Sequence, residues 1–269
     1  MRPLVELAAE EAWRLTGVFF DLDDTVLTHG VLGKEAYGSL WDLHDAGLRL
    51  VAVTGRPSGW AEVLVRQWPI DGAVTENGAV FVVHEGNGVR VIEDGTPAEV
   101  RRRRALLDAL VARVREEMPG VTLADDVHMR RSDVAWDIAE RVKLAEPDVH
   151  ALGRLVRATG ARTTRSSVHL HASFERDDKA SGATRFVRER FGEDPGRAIH
   201  RWAFVGDSGN DAACFAAMKT TFGVANVRAY LSKLTVPPRY VASAERGAGF
   251  AEIARALIAA RASEPRAGA

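Results

Sequence analysis

The stretch Val18-Phe19-Phe20-Asp21-Leu22-Asp23-Asp24-Thr25 constrains this chain more than any other. A short β-branched and aromatic run ends abruptly in the carboxylates of Asp21, Asp23 and Asp24. The run reads as a strand buried on both faces, and its acidic end as a turn at the strand's carboxyl edge. In an open α/β sheet that edge is where ligands bind. Carboxylates this close repel one another, so a cation belongs among them, and a hard divalent ion with oxygen ligands suits them best. A helix N-cap would need only one such residue.

The surrounding sequence alternates strand and helix. Residues 4–15 read as an amphipathic helix, 34–46 as a helix stopped by Gly47, 49–53 as a second buried strand, 58–68 as a helix and 72–75 as a third strand. That order predicts a doubly wound sheet. Asn77-Gly78 marks a hairpin into 79–83, and Gly86-Asn87-Gly88 a second turn into 89–92. The texture then changes. A long helix over 98–118, strands over 121–125 and 133–139, a helix over 146–159 and a strand over 167–174 make a β-containing insert. Val134, Trp136 and Ile138 alternate with Asp133, Ala135, Asp137 and Ala139, as Val168, Leu170, Ala172 and Phe174 do with Ser167, His169, His171 and Ser173. Doubly wound character resumes with a helix capped by Asp178 and starting at Lys179, a strand over 201–205 and a second carboxylate loop over 206–211. Strands over 220–224 and 239–241 and a helix over 249–262 follow, with a tail expected to fray. The expected fold is α/β: a doubly wound, Rossmann-like parallel-sheet core over 1–94 plus 177–269, with an inserted α+β cap domain over 95–176.

Composition narrows the partners. Of 269 residues 46% are hydrophobic and 27% charged, ordinary for a globular chain with ample core. The net charge of -1 gives no basic field for nucleic acid or a membrane surface, and the run Arg101-Arg102-Arg103-Arg104 wraps round a helix as solvated surface. No uncharged apolar run approaches the roughly 18 residues of a spanning helix. Arg2, Glu6, Glu10, Glu11 and Arg14 argue against a signal peptide, and a single cysteine, Cys214, fits a reducing compartment. The expectation is a cytoplasmic protein, a monomer or small homo-oligomer, acting on a small molecule, with no nucleic acid and no membrane as partner.

The acidic run also resembles the first motif of the haloacid dehalogenase (HAD) superfamily of phosphotransferases, a hydrophobic strand followed by Asp-x-Asp-x-Thr. Counting from Asp21 places Asp23 two positions on and Thr25 four on. Counting from Asp23 resembles the transport-ATPase variant but leaves Asp21 inside the strand, and Asp24 has only Val26 at the second place. Thr54 after the second strand resembles the second motif, Lys179 at a helix start the third, and Gly206-Asp207-Ser208-Gly209-Asn210-Asp211 the fourth. The resemblance implies that Asp21 is a nucleophile forming an aspartyl-phosphate, and that Asp23 protonates the leaving oxygen and then activates water. It implies that Thr54 and Lys179 serve the phosphoryl oxygens. Mg2+ would be held by Asp21, Asp207 and the backbone carbonyl of Asp23, with Asn210 and Asp211 orienting metal water and Lys179.

The insert between the second and third motifs, with Thr75-Glu76-Asn77-Gly78-Ala79, resembles the type IIB cap of sucrose-phosphate and mannosyl-3-phosphoglycerate phosphatases. Ala180 departs from that group, where many members have glycine after the lysine. The implied activity is a Mg-dependent phosphomonoester hydrolase acting on a small phosphorylated sugar or sugar acid. The rivals are a phosphosugar mutase and a degenerate ligand-binding module; the joint presence of Asp21, Asp23, Thr54, Lys179 and Asp207 speaks against the module. Selectivity would fall to Arg56, Glu76, Asn77, Arg130, Arg131, Asp137 and His169. Carboxylates such as Asp137 suit sugar hydroxyls. Arg130 and Arg131 read either as surface charge or as binders of a second substrate anion. His169 and His171 share a strand face with no third metal ligand nearby, so they read as pocket lining or as exposed residues.

Overall fold

Gly17–Phe20 is the strand its composition promises, every residue buried. Alternate side chains feed opposite faces of a sheet. Val18 and Phe20 join one apolar layer with Leu40, Leu50, Ala52 and Phe250, and Phe19 joins the other with Val51, Val53, Phe186 and Trp202. Phe19 stacks on Trp202 at 4.5 Å between ring centroids. Gly17 permits this, since a Cβ there would meet the Trp202 ring at 2.4 Å. The structure, a computed structural model, describes residues 1–166 and 168–263. Ser167, expected to open a strand, and the tail beyond 263 lie outside the described residues.

Among these residues the main sheet has nine strands, in the order Arg2–Pro3, Tyr240–Val241, Thr220–Gly223, Trp202–Gly206, Gly17–Phe20, Arg49–Val53, Gly72–Thr75, Val80–Glu85, Gly88–Glu93. Pairing is parallel as far as Gly72–Thr75 and antiparallel through the two hairpin strands at the end. The doubly wound α/β fold expected from the sequence is what is observed. From Gly17–Phe20 the chain winds one way through Arg49–Val53 and Gly72–Thr75, and later the other way through Trp202–Gly206 and Thr220–Gly223. The order therefore reverses between Gly17–Phe20 and Trp202–Gly206, which makes a crevice at their carboxyl ends. Asp21 and Asp207 are the first residues past those two strands.

A second, three-stranded antiparallel sheet, Arg162–Arg165, His169–Ser173, Asp133–Asp137, lies within the expected insert. Its Val134, Trp136, Leu170 and Ala172 pack on Leu107, Leu110, Val149 and Leu152 of helices Pro97–Glu117 and Glu146–Ala158. The long helix begins at a capping box, Thr96 with Glu99.

Local differences from the sequence reading have physical causes. Residues 4–15 split into a 3-10 turn, Leu4–Glu6, and a short helix, Ala9–Arg14, because Leu7 and Ala8 are extended. Residues 121–125 form no strand beyond a single bridge, Leu123 to Trp136, before the 3-10 turn Asp125–Met129. The strand Arg162–Arg165 went unforeseen because Arg-Thr-Thr-Arg carries no apolar alternation; it is an edge strand. The helix Pro195–Arg201, capped by Asp194, also lacked a periodic signal at its short length.

Candidate active site

After Phe20 the backbone turns sharply. The N–H groups of Thr25, Val26 and Leu27 converge on the Leu22 carbonyl, and Asp24 takes the left-handed conformation at φ 56° that a short polar side chain tolerates. This turn leaves Asp21 buried in the crevice and Asp23 half exposed beside it. Asp207 and Asp211 come from the neighbouring strand end. One carboxylate oxygen each of Asp21, Asp207 and Asp211 lies within 4.8 Å of the others.

Lys179 Nζ enters this cluster, donating to Asp21 at 2.7 Å and to Asp211 at 2.8 Å. Asp211 spends its second oxygen on the N–H groups of Asp207 at 2.9 Å and Ser208 at 3.2 Å. Asp207 accepts from Asn226 Nδ2 at 2.9 Å. Asn226 was not foreseen; it lies in the 3-10 segment Ala225–Lys233, where no motif spacing pointed to it.

The electrostatics are those of an acidic cluster short of positive charge. Burial pushes the Asp21 carboxyl up to about 7 against the pull of Lys179, with Asp211 and Asp23 adding to the rise. Burial, Asp211 and Asp21 push Asp207 up to about 9. Burial disfavours the charge of Lys179, yet Asp21 and Asp211 raise its pKa above the usual lysine value. Hard oxygen donors that resist ionisation together fit a divalent cation, whose charge would reverse that resistance. Among the described residues the carboxylates brought within reach of one ion are Asp21, Asp207 and Asp211, so Asp211 stands in the set where the sequence reading put the Asp23 carbonyl.

The helix carrying Lys179 is seated by close backbone contact. Asp178 caps it by accepting from Ala180 N–H at 3.0 Å and Ser181 N–H at 2.9 Å. The small residue this packing requires stands at Gly182, whose added Cβ would meet Gly78 Cα at 2.5 Å. Gly78, at φ 112°, lies just as tightly on the Asp178 carbonyl. The Asn77-Gly78 turn is thus the platform under Lys179, and Ala180 does not loosen it. Asn77 Oδ1 also accepts from Asn210 at 3.2 Å, tying this turn to the second carboxylate loop.

Thr54 is buried past its strand, and its Oγ1 accepts the Arg56 N–H at 3.1 Å. Arg56 grips Asp23 with both donors, Nε at 2.9 Å and Nη2 at 2.6 Å, and stacks over Trp60. A cavity of 1140 Å³ opens above these residues, with its far wall made by the second sheet and the loops beside it, His169 included.

Other residues expected on that wall have different partners. Glu76 is buried and its carboxylate accepts backbone N–H groups from Ser58, Arg131, Ser132 and Asp133, which fastens the start of the second sheet to the first. Arg130 reaches the cavity, but its guanidinium is committed to Asp126 at 2.9 Å, Asp133 at 3.0 Å and the Gly55 carbonyl at 3.0 Å. The Arg131 side chain lies outside, half exposed, nearest Glu62 at 3.8 Å and Glu93 at 4.0 Å. Asp137 is buried in a turn, accepting from the N–H of Glu140 at 2.8 Å and of Arg141 at 3.0 Å. Burial would raise its carboxyl, but those donors hold it below the usual carboxylate range. Alternation placed Asp137 on the polar face of its strand; it could not show that the N–H groups of the following turn would consume it.

No protein-family model and no curated protein sequence matches the chain. Solved structures do. A Thermoplasma acidophilum protein superposes with a TM-score of 0.69 at 15% identity, over 90% of this chain and 98% of the other. A sucrose-phosphatase from Synechocystis sp. PCC6803, solved with sucrose and phosphate, gives 0.63 at 16% identity over 90% and 98%. A phosphatase of the HAD superfamily from Bacteroides thetaiotaomicron gives 0.59 at 18% identity over 91% and 96%. At these identities the likeness is one of fold: the chain has the fold of HAD phosphatases. No described helix is long and apolar enough to cross a membrane.

Proposed function

We propose that this chain is a HAD-type phosphomonoester hydrolase, dependent on a divalent cation such as Mg2+, that acts through an aspartyl-phosphate on a small phosphorylated sugar. The observation that carries the reading is Lys179 bridging Asp21 and Asp211 at the sheet's switch point, with Asp207 in the same cluster. The shared fold with a sucrose-phosphatase and with sugar phosphatases of HAD subclass IIB supports it.

Asp21 has one oxygen on Lys179 and the other free to attack phosphorus, forming the Asp21 oxygen–phosphorus bond as the ester bond breaks. Lys179 and the Thr54 hydroxyl would neutralise and orient the phosphoryl oxygens, a donor set fixed before the substrate arrives. When bound, the cation shields the phosphoryl charge that otherwise repels a carboxylate nucleophile. Asp23 would give its proton to the leaving alkoxide, then take one from the water that cleaves the acyl phosphate. Residues 95–176 would act as the cap that supplies selectivity and excludes water.

The test is phosphate release from p-nitrophenyl phosphate and a panel of phosphosugars, with and without Mg2+. Release that depends on the cation and is lost in Asp21→Asn supports the reading. Equal release in excess chelator would refute it.

A further inference from the structure

The cavity's far wall is lined by His128, His169 and His171, and each ring has one nitrogen already committed. His169 Nε2 lies 2.8 Å from a Glu140 carboxylate oxygen. His128 Nδ1 lies 3.0 Å from the Asp125 carbonyl, and His171 Nδ1 lies 2.9 Å from an Asp133 carboxylate oxygen. Each partner can only accept, so the committed nitrogen must carry the hydrogen. In a neutral imidazole the other nitrogen is then a bare lone pair, an acceptor that needs a donor. Burial favours this neutral form of His171.

The cations of the same cavity are already taken. Arg56 holds Asp23, Arg130 holds Asp126 and Asp133, and Arg165 makes a two-armed pair with Glu146 at 2.9 and 2.6 Å. Lys233, exposed at the rim, is the lining cation without an ion-pair partner among the described residues. A second anionic group on the substrate would meet acceptors and committed arginines, whereas hydroxyl groups would meet the acceptors they can donate to.

We propose that His128, His169 and His171 read the leaving group by accepting hydrogen bonds from its hydroxyls, so that the preferred substrate is the phosphate monoester of a neutral sugar or polyol without a second anion. This rests on the phosphatase reading and assigns the specificity of the same site.

The test uses the whole chain with Mg2+. p-Nitrophenyl phosphate has no hydroxyl on its leaving group and reports the phosphoryl chemistry alone. The kcat/KM for glucose 6-phosphate and mannose 6-phosphate should exceed that for 6-phosphogluconate and fructose 1,6-bisphosphate by about tenfold or more, the scale of one or two well-placed hydrogen bonds. His128→Phe and His169→Phe should each lower the ratio of glucose 6-phosphate to p-nitrophenyl phosphate kcat/KM by about fivefold. Arg131→Ala, outside the cavity, should leave that ratio unchanged. A preference for the doubly anionic esters, above all one abolished by Lys233→Ala, would overturn the assignment, as would an unchanged ratio in both histidine variants. No phosphate release from any of these esters would instead overturn the phosphatase reading, and the assignment would fall with it.

Discussion

Lys179 is a buried cation whose whole environment is carboxylate. Removing it leaves Asp21 and Asp211 facing each other without compensation, and breaking a buried pair in this way typically costs about 3–5 kcal/mol. Lys179→Met should therefore lose turnover and also unfold at markedly lower urea in the metal-free protein; a stability loss below about 1 kcal/mol would mean the pair is solvated. Asp21, Asp23, Thr54, Lys179 and Asp207 were legible because each stands at a strand or helix end that short-range pattern locates. Asn226 was not. Its contact with Asp207 is made by the 3-10 segment that follows the adjacent strand Thr220–Gly223, a juxtaposition only the assembled sheet creates. Arg130 was legible as a residue near the cavity and illegible as a committed one, since its pairing with Asp126 and Asp133 depends on how the intervening turn folds and the Gly55 carbonyl reaches it from a distant segment.

At the scale of elements, two junctions hold the site. The first is Gly78 against the helix start, where Gly182→Ala would force a Cβ onto backbone at 2.5 Å. Backbone cannot yield as a side-chain tip can, so this substitution should displace Lys179 and lower activity by more than tenfold with a destabilisation of about 2 kcal/mol, readable by thermal unfolding. The second is Glu76. Glu76→Ala strands backbone donors of Ser58, Arg131, Ser132 and Asp133 and should speed hydrogen exchange at 131–133. Burial and the Asp133 charge push the Glu76 carboxyl up to about 7. A carboxyl with a raised folded-state pKa contributes most stability below its unfolded pKa and loses it as pH climbs through the folded value. The stability gap between wild type and Glu76→Ala should accordingly narrow from about pH 5 to pH 8; a gap that widens would contradict the shift. Strand and helix order could be read in advance because buried parallel strands are apolar without interruption. The edge strand Arg162–Arg165 could not, because its pairing with His169–Ser173 is supplied by tertiary context alone.

For the molecule as a whole, the proposed function divides the work between the doubly wound core and the second sheet: the crevice would handle the phosphoryl group and the opposite wall would face whatever the phosphate is attached to. Since burial raises the Asp21 and Asp207 carboxyls to about 7 and about 9, a divalent cation would compete with protons there, and its stabilising effect should grow as pH rises. Mg2+ should raise the melting temperature more at pH 8 than at pH 6, and should do so little in Asp207→Asn. Equal shifts in that variant would place the ion elsewhere. If Asp21 itself becomes phosphorylated, mass spectrometry of acid-quenched protein during turnover should find a phosphoryl group on the peptide containing Asp21 in the wild type, more of it in Asp23→Asn where hydrolysis is slowed more than formation, and none in Asp21→Asn. Phosphate release by the wild type with that peptide unmodified, or undiminished release by Asp21→Asn, would contradict it.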